Sequence, residues 1–245
     1  MIATKFAPGL LAAAALLAAA TPAFAQAPAP STSKFFVSVD IGAQLAPRNL
    51  EMGASQTVYE ETATLDASFP VGKGVMPGFA VGYRVFGDVF VGVGVTMFSK
   101  SADAAYTASI PDPLFFNRSK SVSGTAAGLE HKELAVLPTI SYARPLTDKI
   151  DLVAGIGPAI ISLTQGTVSN FTVAAGTQNV TVTPVSQKKT ATGINGSLGL
   201  NYNLSDRLAV GGFARFAGAK VELDGLKDKE NVGGMQAGVG LRVNF

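Results

Sequence analysis

The last residues of the chain alternate between two chemical classes without a slip. Met235, Ala237, Val239, Leu241, Val243 and Phe245 share one parity, and Gln236, Gly238, Gly240, Arg242 and Asn244 share the other. Side chains of a strand point to opposite faces with period two, so this is a strand with one apolar and one polar face. Residues 35–45 repeat the pattern, with Phe35, Val37, Val39, Ile41, Ala43 and Leu45 set against Ser38, Asp40, Gly42 and Gln44. Similar stretches cover 77–86, 89–99, 131–144, 150–163, 190–204 and 208–223, which predicts eight strands. In 77–86, Phe79, Val81, Tyr83 and Val85 oppose Gly78, Ala80, Gly82 and Arg84. The stretch 150–163 is apolar on both parities, and its pattern alone does not separate its faces.

The connections alternate in length. A long polar segment runs to about Met76, Gly87-Asp88 is a tight hairpin signal, and Lys100 to about Glu130 is a long loop with Pro111, Asp112, Pro113 and Asn117 as turn formers. Pro145 to Lys149 is a short turn. A third long loop follows from about Thr164 to Lys189, where the runs Phe171-Thr172-Val173 and Val180-Thr181-Val182 suggest strands that continue outward. Ser205-Asp206-Arg207 is again short, and 224–231 is a charged loop. Short turns gather at one end of an antiparallel sheet and long loops at the other. An even strand count puts both chain ends on the short-turn side.

Composition says what kind of sheet this is. The chain is 47% hydrophobic and 15% charged, against about 25% charged residues in ordinary globular domains. Beyond the first residues, no apolar run is long enough for a spanning helix. In hydrocarbon every backbone N–H and C=O must be paired internally, which leaves a closed barrel as the other spanning structure. The expected fold is all-β: an eight-stranded antiparallel up-and-down transmembrane barrel with short periplasmic turns and long extracellular loops, over residues 35–245.

At the start, Lys5, the apolar stretch Leu10 to Ala20 and Ala23-Phe24-Ala25 have the charge, core and cleavage site of a secretory signal peptide over 1–25. A retained membrane anchor is the alternative, but the apolar core falls short of the ~18 residues that a spanning helix needs. Residues 26–34 read as a short leader. Loss of Lys5 takes the formal charge from +2 to +1, too little for a nucleic-acid partner. With no Cys and one His, neither a disulfide framework nor a zinc site is expected, and no cofactor is.

Eight strands close around a lumen just wide enough for side chains to fill. Gly92 with Gly94, Gly155 with Gly157 and Gly238 with Gly240 then read either as small inward positions or as flexible or bulged strand sites. No helix follows them, so they are not a phosphate loop. Parity sends Asp40, Arg84, Arg215 and Arg242 into the lumen with Gln44, Asn195, Asn201, Gln236 and Asn244. Asp40 is expected to pair with one or more of these Arg side chains. The network could line a selective conduit or fill a non-conducting core, and mixed charges across a narrow lumen favour the filled core.

Phe35, Phe36, Tyr83, Phe86, Tyr142, Tyr202 and Phe245 sit near strand ends, as an interfacial girdle requires, with no Trp to help. His131, in Glu130-His131-Lys132-Glu133, is expected to be a solvated rim residue. No catalytic or metal-binding residue is assigned.

The terminal alternation ending on Phe245 resembles the closing strand of bacterial outer-membrane β-barrels. As a whole the pattern is similar to the OmpA-like transmembrane barrel, without the periplasmic peptidoglycan-binding domain. The stretch Leu137-Pro138-Thr139 through Tyr142, with Gly155-Ile156-Gly157, is more distantly similar to the OmpW group, which is associated with passage of small hydrophobic molecules. The resemblance implies export to the cell outer membrane of a Gram-negative cell. It implies contact with outer-membrane lipids and lipopolysaccharide, and handling by periplasmic chaperones and the barrel-assembly machinery, for which Phe245 would be the assembly signal. It also implies a monomer with a structural or surface-interaction role and a largely filled lumen. The alternative is a passive channel for small, possibly hydrophobic, solutes, and a remote one is a lipid A-modifying enzyme.

Overall fold

The computed structural model describes residues 33–45, 47–174, 179–224 and 229–245. The predicted signal peptide and nearly all of the leader lie outside them. Ten strands form among the described residues: β1 (Phe35–Gln44), β2 (Arg48–Val58), β3 (Glu61–Val71), β4 (Gly74–Phe86), β5 (Val89–Pro111), β6 (Ser119–Pro145), β7 (Ile150–Val173), β8 (Val180–Asn203), β9 (Leu208–Val221) and β10 (Glu230–Asn244).

Eight of them close a ring. The sheet runs β5-β4-β1-β10-β9-β8-β7-β6, and β6 returns to pair with β5. The seam joins the first strand to the last, antiparallel, from Phe36 opposite Asn244 to Gln44 opposite Gln236. Below it, Phe35 and Phe245 exchange backbone hydrogen bonds and their rings meet at 6.0 Å. A closed ring leaves no strand edge unpaired, which is what a spanning sheet requires.

The predicted faces hold. Val39, Ile41, Phe79, Val91, Ile140, Ile156, Val239 and Leu241 are exposed on the outside. Phe35, Tyr83, Phe86, Tyr142, Tyr202 and Phe245 form the exposed aromatic end of this belt. Phe36, assigned to the girdle, has the opposite parity from Phe35 and turns into the lumen, where the Arg242 guanidinium lies 3.7 Å from its ring centroid. At the other end the belt stops at Met97 and Leu134, beyond which Lys132 faces outward. On β6 these limits, Tyr142 and Leu134, are separated by about 20 Å at about 3.3 Å per residue and a tilt of about 40°, close to the height of an outer-membrane apolar band.

Beyond the belt the chain departs from the loops expected of it. The segment 100–130 is not a loop: β5 and β6 stay paired out to Pro111 opposite Ser119, with one register shift between Ala102 and Ala104. β7 and β8 likewise continue to Val173 opposite Val180, as the two short β runs suggested. The polar segment before Met76 is not a loop either. It is the β2–β3 hairpin, whose β3 pairs with the outer part of β5 where β4 has ended. From β2, the Met52 sulfur accepts a hydrogen bond from Val168 N of β7 at 3.4 Å, so the hairpin reaches across the mouth. Leu50, Met52, Leu65, Phe69, Phe98, Leu129 and Phe171 form a dry core beneath it. A second cluster, including Leu137, Ala159, Ile161, Ala217 and Val232, lines the upper lumen from β6, β7, β9 and β10. It explains why 150–163 is apolar on both sides: Ile156 and Ile160 face out, while Ala159, Ile161 and Leu163 face this core.

Candidate functional site

The lumen divides into two levels. Within the apolar belt it holds a cavity of about 190 Å³, walled by glycine backbone and small polar side chains and reached by Asp40, Arg215, Arg242, Phe36 and Phe213. The four residues predicted for a lumen network are all inside. Arg215 Nη2 lies 3.6 Å from Asp40 Oδ1, a charge contact longer than a hydrogen bond. Arg215 also donates from Nε to Gln236 Oε1 at 2.9 Å and covers the Phe213 ring. Arg242 lies over Phe36 at 3.7 Å and within 5.3 Å of Phe90, which meets Phe36 edge-on. It donates to Asn244 Oδ1 at 3.1 Å and shares the Phe90 ring with Arg84 at 4.9 Å. Stacking on aromatic faces suits a planar guanidinium that has lost most of its water.

Glycine makes the space. A Cβ on Gly92 would strike the Val81 carbonyl oxygen, so that position needs glycine for close approach of two strands. A Cβ on Gly94 would meet Ala80 Cβ at 3.7 Å and Leu137 Cβ and the Phe79 carbonyl oxygen at 3.8 Å. Ordinary contact distances there mean that glycine at Gly94 leaves room rather than relieving a clash.

The second level is a buried polar layer at the top of the belt, and its centre is His131. The expectation of a solvated rim residue is wrong: the imidazole is 0% exposed. Leu129, His131, Glu133, Ala135 and Leu137 share the inward parity of β6, so a strand that continues past the rim carries His131 inside. Gln165 commits its Nε2 to Gly166 O at 2.7 Å, which turns its Oε1 toward His131 Nδ1, the donor of that bond. The other ring nitrogen lies 2.8 Å from Glu133 Oε1 and 3.3 Å from Arg48 Nη2. Arg48, at the start of the hairpin, pairs with Glu133 and donates to Gly233 O at 2.6 Å. Gln44 Nε2 donates to the same carbonyl at 3.1 Å, and Gly233 N donates to Glu133 Oε2 at 3.1 Å. Both backbone polar groups of one residue are thus clamped.

Gly233 has φ +79° and Gly234 φ +143°, and a Cβ on Gly233 would run into the Ala217 backbone. Only glycine allows the strand to turn its Gly233 N–H to Glu133 and its Gly233 carbonyl to Arg48 there. Glu133 lies one residue beyond Leu134, outside the lipid-facing band. Burial alone would raise its carboxyl, but the His131 hydrogen bond, the charges of Arg48 and His131 and the Gly233 amide outweigh burial and hold it below the usual carboxylate range. Arg48, Glu133 and Gln165 escaped the sequence reading. Their parity relative to the neighbouring strand residues was the available signal.

Chemically, the layer is a hydrogen-bonded network joining β1, β2, β6, β7 and β10, in which Gln44 Oε1 and Arg48 Nε are buried without a hydrogen-bond partner. Among the described residues no group of three or more His, Cys, Asp or Glu is arranged to hold a metal ion.

A closed ring of eight antiparallel strands with an apolar belt outside and a polar lumen inside defines a transmembrane β-barrel. The chain belongs to the outer membrane protein beta-barrel domain family, whose sequence model matches residues 11–245. It is therefore a barrel of the bacterial outer membrane. No curated protein matches it in sequence. Similar solved structures include OprG of Pseudomonas aeruginosa, at 11% identity over 90% of this chain and 99% of that one, with a TM-score of 0.48. Neisserial surface protein A is similar at 13% identity over 86% and 97%, with a TM-score of 0.41. Ail, the attachment invasion locus protein of Yersinia pestis, was solved with the heparin analogue sucrose octasulfate. It is similar at 10% identity over 85% and 99%, with a TM-score of 0.34. With every score below 0.5, the family assignment rests on the sequence match.

Proposed function

We propose that the protein is a surface-interaction barrel of the outer membrane whose lumen does not conduct solutes. One observation carries this reading: the β2–β3 hairpin lays a dry apolar core across the mouth, and the Arg48–Glu133–His131 layer seals the level beneath it. Below, the Asp40–Arg215 contact and the Arg242–Phe36 stack narrow what remains. The belt anchors the chain, the closed interior supplies rigidity, and the outward strands present their tips. His131 has a positioning role in this reading, because its partners Gln165, Glu133 and Arg48 are spent on holding strands together.

The barrel works as a monomer, the signal peptide is removed after Ala25, and Phe245 is the residue that the assembly machinery reads. The lower cavity favours a second reading, a passive channel for small solutes, which requires the hairpin to leave the mouth. Planar-bilayer recordings of the purified full chain test the choice. No reproducible conductance steps are expected. Steady solute flux through the intact barrel would overturn the closed-lumen reading.

A further inference from the structure

The outermost described turn, between β5 and β6, is Asp112-Pro113-Leu114-Phe115-Phe116-Asn117-Arg118. Leu114, Phe115 and Phe116 are 83%, 56% and 73% exposed. Three consecutive large apolar side chains in water call for an explanation, since single exposed ones do not.

The turn is built to present them. Asp112 N donates to Arg118 O at 2.7 Å and closes its base. Leu114 N donates to Asp112 Oδ1 at 2.9 Å, and Asn117 N donates to Glu61 Oε1 of β3 at 2.8 Å. Asn117 takes a left-handed φ of +58°, which turns the chain back after the apolar triplet. The backbone N–H groups of Asp112, Leu114 and Asn117 are thus satisfied by the protein and Pro113 has none, which lowers the cost of taking the tip out of water. Arg118 lies with its guanidinium 5.5 Å from the Phe115 ring centroid, and Lys120 follows it on the same arm. Cations behind an apolar tip sit where lipid phosphates would be, and long basic side chains reach that level readily.

Two considerations choose among occupants. The three side chains offer roughly 400 Å² of apolar surface, about half of what one partner contributes to a stable protein interface. A second copy of the chain or another folded protein would therefore need more surface than this convex tip has. The tip is also remote from the barrel's own bilayer. β5 runs from Met97, at the edge of the belt, to Pro111, a climb of about 35 Å at about 3.3 Å per residue and a tilt of about 40°.

From this we infer that the 112–118 tip inserts Leu114, Phe115 and Phe116 into the phospholipid surface of an apposed membrane, with Arg118 and Lys120 at its phosphates. The inference rests on the surface-interaction reading and names its partner.

The chain contains no Trp, so Phe116→Trp makes a single emitter. The full chain carrying it is embedded in phosphatidylcholine nanodiscs and mixed with vesicles of phosphatidylcholine and phosphatidylserine whose acyl chains are brominated. A blue shift with quenching by the vesicle lipids is expected. Co-flotation of the otherwise unmodified chain with unbrominated vesicles should fall at least about tenfold in Leu114→Ser/Phe115→Ser/Phe116→Ser. Heat-modifiable gel mobility checks that this variant still forms the barrel. Unchanged emission together with equal flotation of the two chains would overturn the inference. So would a shift that follows protein concentration without vesicles, which would mean a second copy, or one that needs an added protein. Any of these leaves the closed-lumen reading standing, whereas solute flux overturns that reading and not the tip.

Discussion

The inner face of one continuous sheet has two characters, divided at the level of His131. Below it, inside the belt, β1, β5 and β10 turn Asp40, Gly94 and Arg242 toward a cavity whose wall also includes Leu137, so charged, small and apolar positions share that level. Above it, β2, β3, β5 and β7 turn Leu50, Met52, Phe69, Phe98 and Phe171 inward, and the result is a dry core. Below, lipid takes the apolar face and the polar face must go inside. Above, water surrounds the sheet, so the apolar face goes inside as in a soluble domain. The alternation inverts where the solvent does. The layer of Gln44, Arg48, His131, Glu133 and Gln165 sits at that inversion.

The sharpest way to break the division is to remove its centre. Glu133→Ala leaves Arg48 and His131 without their shared carboxylate, and loss of one partner of a buried ion pair costs about 3–5 kcal/mol. Urea unfolding of the refolded barrel in lipid should show that loss. Next, Leu65→Ala in the upper core should cost about 2–5 kcal/mol. It should appear as faster protease cleavage of the β2–β3 hairpin while the heat-modifiable mobility of the barrel persists. If the two regions lose stability together instead, they are one cooperative unit.

Acid should act on the layer before the belt. A carboxyl held low in the folded state contributes stability above its unfolded value, near 4.3, and the contribution is lost as pH falls through the lower folded value. Hairpin protection against protease should therefore hold at neutral pH and decline only below the ordinary carboxylate range. The same decline in Glu133→Gln would count against this. The smallest effect sharpens the picture of the lower space. Gly94→Ala should stabilise by about 0.4–1 kcal/mol, because its Cβ meets only ordinary contacts, whereas Gly92→Ala, two residues away, should destabilise.

How far all this was legible follows from the same inversion. The eight spanning strands and the direction of Asp40, Arg84, Arg215 and Arg242 came from period two, because lipid on one side enforces it. The hairpin was missed although Ala63, Leu65, Ala67, Phe69 and Val71 alternate cleanly. Its turn is Tyr59-Glu60, both at positive φ (52° and 64°), and neither residue is an ordinary signal for such a turn. His131 was misplaced for a related reason. A polar run of Glu130-His131-Lys132-Glu133 reads as a solvated rim unless the strand is known to continue past it. The clamp on Gly233 was beyond sequence reasoning, since its partners lie 100, 185 and 189 residues away along the chain.

Those separations bear on the order in which the barrel is made. Gln44 ends the first strand, Gly233 opens the last, and Arg48 begins the hairpin, so the clamp can form only after the two ends of the chain have met. Contacts between such distant residues come late, because the loop they close must first be ordered. Once formed, the clamp holds the ring shut and the hairpin down through the same residue. Sealing of the seam and covering of the mouth should then be one event in time. In a refolding time course, the slow-migrating band should give way to the compact one at the same rate as the hairpin becomes resistant to protease.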